Sequence, residues 1–374
     1  MKILIDASVC SKGGGVQVAL ALINNIAQDP TFDVICVTSP QVDMQLSPEI
    51  KAKISYYYAE VNENILGKRK QGKRLAEIEN KHNPDLVFIV FGPSYWRPKS
   101  KSLQGFALPL MVYPETRDRV YKDTFVTYCY QKLLNFYKAR LMKKNADYVA
   151  VETSAFKERV HHLLGIDNEH IFVVENSFNA NFLEIETVNK KMDKLQIFVP
   201  TAYYPHKNLE ILVDVAFELA KMQKTQLIFN FLLPETSAPW VNIKSKAKQL
   251  GVEEYFHTLG PVKNIQMAQL YAQTDFVLLP TVAEASTAVY PESFISRKVL
   301  LTSNVDFAVE LCGDAAVYFD PHDAKDIAKK IVEIDSDPNK QQFLISMGLE
   351  QVEKSYLTPQ QKWQKQRNLL LNLK

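Results

Sequence analysis

At 374 residues the chain exceeds the ~250 to 300 at which one hydrophobic core stops growing, so two domains are expected. A net charge of +2, a hydrophobic share of 47% and no apolar run near the ~18 residues of a membrane span indicate a globular cytoplasmic chain. The four cysteines, Cys10, Cys36, Cys129 and Cys312, lack any C-x2-C spacing, which argues against a disulfide framework or a zinc site.

Met1-Lys-Ile-Leu-Ile-Asp6 reads as a first strand, since Asp6 interrupts the apolar run a signal peptide would need. Short apolar runs then alternate with helical patterns, the signal for parallel α/β architecture. Strands are expected over 2–8, 33–38, 85–91, 108–113, 147–151 and 171–174, and in a second set over 195–199, 226–233, 255–259, 275–279, 299–302 and 316–319. The polar stretch 179–194 between the sets reads as a linker. The division that follows is 1–185 for a first domain, 186–357 for a second, and a closing helix over 358–374.

After the first strand, Ser11-Lys12-Gly13-Gly14-Gly15-Val16 opens an apolar-periodic run to Ile26. Three glycines at a strand-to-helix turn either let backbone N–H groups approach an anion or simply make a tight turn. Residues 67–144 hold 17 Lys and Arg against 6 Asp and Glu, including Gly67-Lys-Arg-Lys-Gln-Gly-Lys-Arg74 and a basic, aromatic-laced helix candidate over 117–144. Such a cluster suits an anionic leaflet or a phosphorylated lipid-linked acceptor; a solvated face and nucleic acid are the competing readings. Tyr95 and Trp96, in a loop after a buried strand, and Glu115, after the strand expected at 108–113, are the candidate acceptor-side residues.

Further on, Phe198-Val-Pro-Thr-Ala-Tyr-Tyr-Pro-His206-Lys207-Asn208 places Lys207 where a helix capped by Asn208 would begin. There the ammonium either meets phosphate oxygens or is a solvated first-turn lysine. Asp275-Phe-Val-Leu-Leu-Pro280 is followed by Glu284-Ala-Ser-Thr-Ala-Val-Tyr-Pro-Glu292. Two carboxylates at a strand tip and in the next helix's first turn suit the hydroxyls of a polyol, although Glu292 after Pro291 also suits a helix start. The D-x-D at Asp335 and Asp337 is explained by a helix-terminal turn, so no metal or cofactor is assigned.

The spacing from Glu284 to Glu292 resembles the E-x7-E signature of retaining GT-B glycosyltransferases of family 4. The segments around Asn176, Lys207-Asn208, Lys298 and Asp314 resemble that family's other motifs in the same order, densely over 173–328. The resemblance implies two doubly wound Rossmann-like domains facing across a cleft and a metal-independent sugar transfer from a UDP- or GDP-sugar to a glycan or lipid-linked acceptor, as in bacterial lipopolysaccharide or capsule assembly. It implies that Glu284 contacts donor-sugar hydroxyls, Glu292 the ribose and Lys207 the diphosphate, with Gly14, Gly15, Ser286 and Thr287 as further donor contacts. It places the closing helix against the first domain and peripheral membrane contact within reach. The chain departs from the pattern at Ala202, where relatives carry an arginine, at Ser286-Thr287 in place of an aromatic-glycine pair, and at Arg297 in place of a glycine. Arg297 or Lys298 is the candidate replacement cation. The alternatives are a GT-B epimerase, for which only His206 and His257 speak, and a non-catalytic binding subunit.

Overall fold

The computed structural model describes residues 1–11, 13–59, 65–121, 125–184 and 193–373. The expected boundary at 185, most of the linker and Lys12 lie outside these, as do the side chains of Lys68 and Arg69. The chain divides into two compact units. One comprises Met1–Pro114, Tyr121–Val174 and Gln360–Lys374; the other comprises Glu115–Val120 and Glu175–Pro359.

The first unit holds strands β1 (Lys2–Ala7), β2 (Asp33–Thr38), β3 (Tyr56–Ala59), β4 (Leu86–Ile89), β5 (Lys101–Gly105), β6 (Tyr148–Val151) and β7 (Ile171–Val173) in the parallel order β3-β2-β1-β4-β5-β6-β7. The second holds β8 (Leu195–Val199), β9 (Leu227–Phe231), β10 (Phe256–Thr258), β11 (Phe276–Leu279), β12 (Val299–Ser303) and β13 (Ala316–Phe319) in the order β10-β9-β8-β11-β12-β13. Central strands such as Ile3–Ile5 and Val277–Leu279 are wholly buried, as parallel strands covered on both faces must be. In each unit the strand order reverses beside the first strand, at β1/β4 and at β8/β11. Ligands of open α/β sheets bind outside the carboxyl ends at such reversals.

The strands differ from expectation in three places. Residues 108–113 are not a strand: Pro109 lacks the N–H a central strand must donate, and Pro109–Val112 forms a short helix. The neighbouring sheet position is taken by β5, whose polar sequence Lys-Ser-Leu-Gln-Gly hides it. Its buried Ser102 hydroxyl donates to Asp147 (2.9 Å) and its Gln104 amide to the Asn145 carbonyl (2.8 Å). A Cβ on Gly105 would lie 2.1 Å from the Val90 oxygen, so only glycine fits there. The edge strand β3 was also unforeseen, because three successive tyrosines show no alternation.

The helix Pro359–Asn372 lies in the first unit. Leu370 and Leu373 join the core beneath β1 and β2, Trp363 packs on Phe32 with ring centroids 6.2 Å apart, and Arg367 donates to Asp29 and Thr31.

Candidate functional site

In the second unit the tips of β8 and β11 meet at the reversal of strand order. After β8, Pro205–Lys207 forms a single 3-10 turn and Asn208 adopts a left-handed conformation (φ 56°), which asparagine tolerates better than most residues. Asn208 is therefore not the helix cap it was expected to be. Its amide donates to the Pro321 carbonyl (2.7 Å), the next helix starts at Ile211 without a side-chain cap, and the loop is tied to the tip of β13. The loop after β11 is stitched to the same turn: Val282 N–H donates to the His206 carbonyl (2.9 Å), and so does the Thr281 hydroxyl (3.1 Å).

This stitching brings Lys207 and Glu284 together, 77 residues apart in sequence. Their ammonium and carboxylate form a hydrogen-bonded ion pair in which both residues are buried. The Thr281 hydroxyl approaches the same carboxylate oxygen at 3.1 Å. A buried ion pair is a costly arrangement unless well hydrogen-bonded, and it holds both charges in fixed positions. Flanking it, the buried His206 Nδ1 and Ser286 Oγ have no hydrogen-bond partner among the described residues, which is unusual for buried polar atoms. His206 stacks on Tyr204 with centroids 5.5 Å apart. Burial and the neighbouring Lys207 push its pKa down to about 3, so the ring is neutral at physiological pH.

Glu292 sits in the first turn of the helix Val289–Ile295 and is buried. Burial raises its pKa to about 8, only partly opposed by the Tyr271 hydroxyl that donates to it at 3.2 Å. It therefore carries a proton at neutral pH. Thr287 is buried, and its hydroxyl accepts from the Val289 N–H (3.3 Å), capping that turn.

Neither candidate replacement for the cation missing at exposed Ala202 stands at the carboxyl edge of the sheet. Arg297 and Lys298 precede β12 at its amino end, and the Lys298 ammonium donates to the Ala272 carbonyl (3.2 Å) at the head of β11. Arg297 has φ 54°; its N–H bonds Phe294 and that of Lys298 bonds Ser293, the two hydrogen bonds of a Schellman helix end. Glycine is the natural occupant of that left-handed position, which accounts for the family pattern there in purely backbone terms. His257 lies on the edge strand β10 and bonds Asn230 (3.0 Å). Asp337 caps the helix Pro338–Ser355 by accepting from Lys340 N–H (2.9 Å), a structural role for the D-x-D.

In the first unit the helix Gly13–Ile26 starts directly at the glycines. A Cβ on Gly14 would meet nothing within 4 Å, and one on Gly15 would contact the Phe91 ring at 3.6 Å. A small cavity beside β1 and β4 is lined by Asp6, Ser8, Gln71, Phe91, Ser94 and Tyr95. Trp96 is not on this rim as expected. It is buried in the core against Leu75 and Val87, its indole N–H donating to Glu79 (3.2 Å). Glu115 follows no strand. It opens the exposed first turn of the helix Pro114–Val120, which the second unit claims from Glu115 onward and which Thr116 fastens to the Val282 carbonyl (3.1 Å). The basic run is likewise not one surface: Lys70, Lys73 and Arg74 are exposed, Arg97 pairs with Asp147, and Arg117 is buried beside Asp118. Among the described residues no helix is long and apolar enough to cross a membrane, and no group of three or more His, Cys, Asp or Glu is placed to hold a metal ion.

Residues 182–350 match the family model described as glycosyl transferases group 1. No curated protein matches the chain. Solved structures similar over the full chain include a glycosyltransferase from Rickettsia africae ESF-5 (16% identity, 100% of this chain and 98% of that one, TM-score 0.72). Anabaena Alr3699/HepE in complex with UDP-glucose is similar at 15% identity, with 100% of both chains covered and a TM-score of 0.73. WaaG, a glycosyltransferase involved in lipopolysaccharide biosynthesis, is similar at 12% identity over 96% of this chain and 98% of that one, with a TM-score of 0.71. The whole chain thus has the two-domain GT-B fold, and the stretch 182–350 of its second unit carries the match to the glycosyl transferases group 1.

Proposed function

We propose that the chain is a retaining glycosyltransferase of the family 4 kind that moves a sugar from a UDP- or GDP-sugar to a glycan or lipid-linked acceptor in bacterial surface polysaccharide assembly. The observation that carries this reading is the buried Lys207–Glu284 pair at the strand reversal of the unit that matches the family model. A donor diphosphate offers Lys207 a second anionic partner and frees Glu284 to accept hydrogen bonds from sugar hydroxyls. Glu292 is assigned to the ribose, Ser286 and Thr287 to the sugar or phosphate, and Gly14 and Gly15 to backbone contact with the phosphates. In the step itself the bond from the anomeric carbon to the phosphate oxygen breaks. The acceptor oxygen bonds that carbon on the same face, and the departing phosphate takes the hydroxyl proton. Lys207 and backbone N–H groups stabilise the charge on the leaving diphosphate, so no protein nucleophile is required.

Turnover tests this reading. Nucleoside diphosphate release should be detected with one member of a panel of UDP- and GDP-sugars, should survive EDTA, and should fall ~10² to 10³-fold in Glu284→Gln. Binding of nucleotide sugars without release, on any glycan or lipid-linked acceptor offered, would favour a binding subunit. Loss of activity on chelation, restored by Mn²⁺, would overturn metal independence.

A further inference from the structure

The helix Pro114–Val120 comes from the first half of the chain, yet from Glu115 onward it belongs to the second unit. Thr116 anchors it there. Its hydroxyl donates to the Val282 carbonyl (3.1 Å), and the Val282 N–H donates in turn to the carbonyl of His206, next to Lys207. Residues three apart share a helix face, so Arg119 follows Thr116 by one turn on the side that meets this sheet edge. Its guanidinium lies close enough to His322 to act on that imidazole: partial burial first and the Arg119 charge second hold the His322 pKa below its ordinary value, opposed by Asp320. His322 directly follows Pro321, whose carbonyl accepts from the amide of Asn208, the residue after Lys207. Two separate ties, through Val282 and through Pro321, thus connect the surroundings of Arg119 to the turn that carries Lys207.

We propose that Arg119 is a second cation of this site and binds the diphosphate of a nucleotide ligand together with Lys207, an inference that rests on reading the Lys207–Glu284 pair as the donor site. The charge of Lys207 is already balanced by Glu284, so the pair alone is neutral and cannot offset a diphosphate. Arg119 is exposed and makes no ion pair or side-chain hydrogen bond among the described residues, so no carboxylate has to be displaced before it meets an anion. Its neighbour Arg117 is unsuited to the task, being buried and held by Asp118. The acid nearest His322, Asp320, has one carboxylate oxygen engaged by the His322 N–H (2.8 Å). A guanidinium presents a planar fork of donors that matches phosphate oxygens two at a time, and it is charged at every pH the fold survives.

Calorimetric titration of UDP, GDP, uridine and guanosine against the wild type, Arg119→Gln, Arg119→Lys and Lys207→Met tests it on the whole chain. One diphosphate should bind the wild type more tightly than its nucleoside. Arg119→Gln should weaken that diphosphate about tenfold and leave the nucleoside unchanged, because only a charge-assisted contact is lost. Arg119→Lys, which keeps the charge without the fork, should recover part of the loss. The thermal unfolding midpoint should not move, since Arg119 is exposed. In NMR the His322 imidazole of the wild type should titrate at higher pH once the diphosphate is bound, because a negative charge nearby favours the imidazolium. Unchanged diphosphate affinity in Arg119→Gln, with a loss in Lys207→Met, would overturn the role of Arg119 and leave the donor site standing. Equal loss of diphosphate and nucleoside in Arg119→Gln would also overturn that role. A wild type that binds neither diphosphate would overturn both the role and the donor reading.

Discussion

Glu292 shows how burial decides the state of a single group. Its carboxyl keeps a proton up to about pH 8 in the folded protein, whereas the unfolded chain releases it near the ordinary 4.5. Between these values the folded state binds more protons, so the stability this group contributes is present at low pH and is lost as pH rises through about 8. Glu292→Gln is neutral at every pH and preserves the partnership with Tyr271. The unfolding free energy from urea denaturation should therefore fall less between pH 5 and pH 9 in the variant than in the wild type, by an amount on the order of a few kcal/mol. Parallel profiles for the two proteins would show that the carboxyl is solvated and ionised. His206 has the opposite sign. Its folded pKa of about 3 lies below the usual imidazole value, so its contribution is present above about pH 6.5 and is lost as pH falls toward 3.

The helix Val289–Ile295 and its ending show what an element requires of its residues. Arg297 occupies the left-handed position that closes this helix, with both Schellman hydrogen bonds made. A side chain there works against Cβ sterics. Arg297→Gly should raise stability by about 0.5 to 1 kcal/mol in chemical denaturation and leave nucleotide binding unchanged. A loss of stability would mean that the guanidinium makes a contact worth more than the backbone strain. Elements also set the limit of what sequence periodicity reveals. Strands β1, β8, β11 and β12 each carry a continuous apolar run of three or four residues and were legible. Strand β5 was not, because Ser102 and Gln104 are polar yet buried, satisfied by Asp147 and Asn145 from a segment more than 40 residues away. The run 108–113 has strand composition, and a single proline at 109 turns it into a helix.

Across the whole molecule, alternating strands and helices made the α/β class and its two sets of strands readable, and the spacing from Glu284 to Glu292 singled out the candidate site. The ion pair that defines that site was not readable. Lys207 and Glu284 meet only because β8 and β11 are neighbours at the reversal of strand order, a fact of topology that no local pattern encodes. Trp96 misled for a related reason: an aromatic in a strand-tip loop resembles a rim residue until Glu79 is seen to satisfy its indole inside the core. The basic run misled through summation, since a segment's net charge takes no account of which cations are buried or paired. Calorimetric titration of a panel of UDP- and GDP-sugars, and of the matching nucleosides, against the wild type, Lys207→Met and Glu284→Gln decides whether that pair is a donor site. At least one nucleotide sugar should bind the wild type. Lys207→Met should weaken that ligand and its nucleoside diphosphate by roughly 10- to 100-fold, the loss of a charge-assisted contact, while leaving the nucleoside nearly unchanged. Glu284→Gln should weaken the sugar nucleotide more than the diphosphate. Nucleotide-sugar affinity that is the same in all three proteins would contradict the assignment.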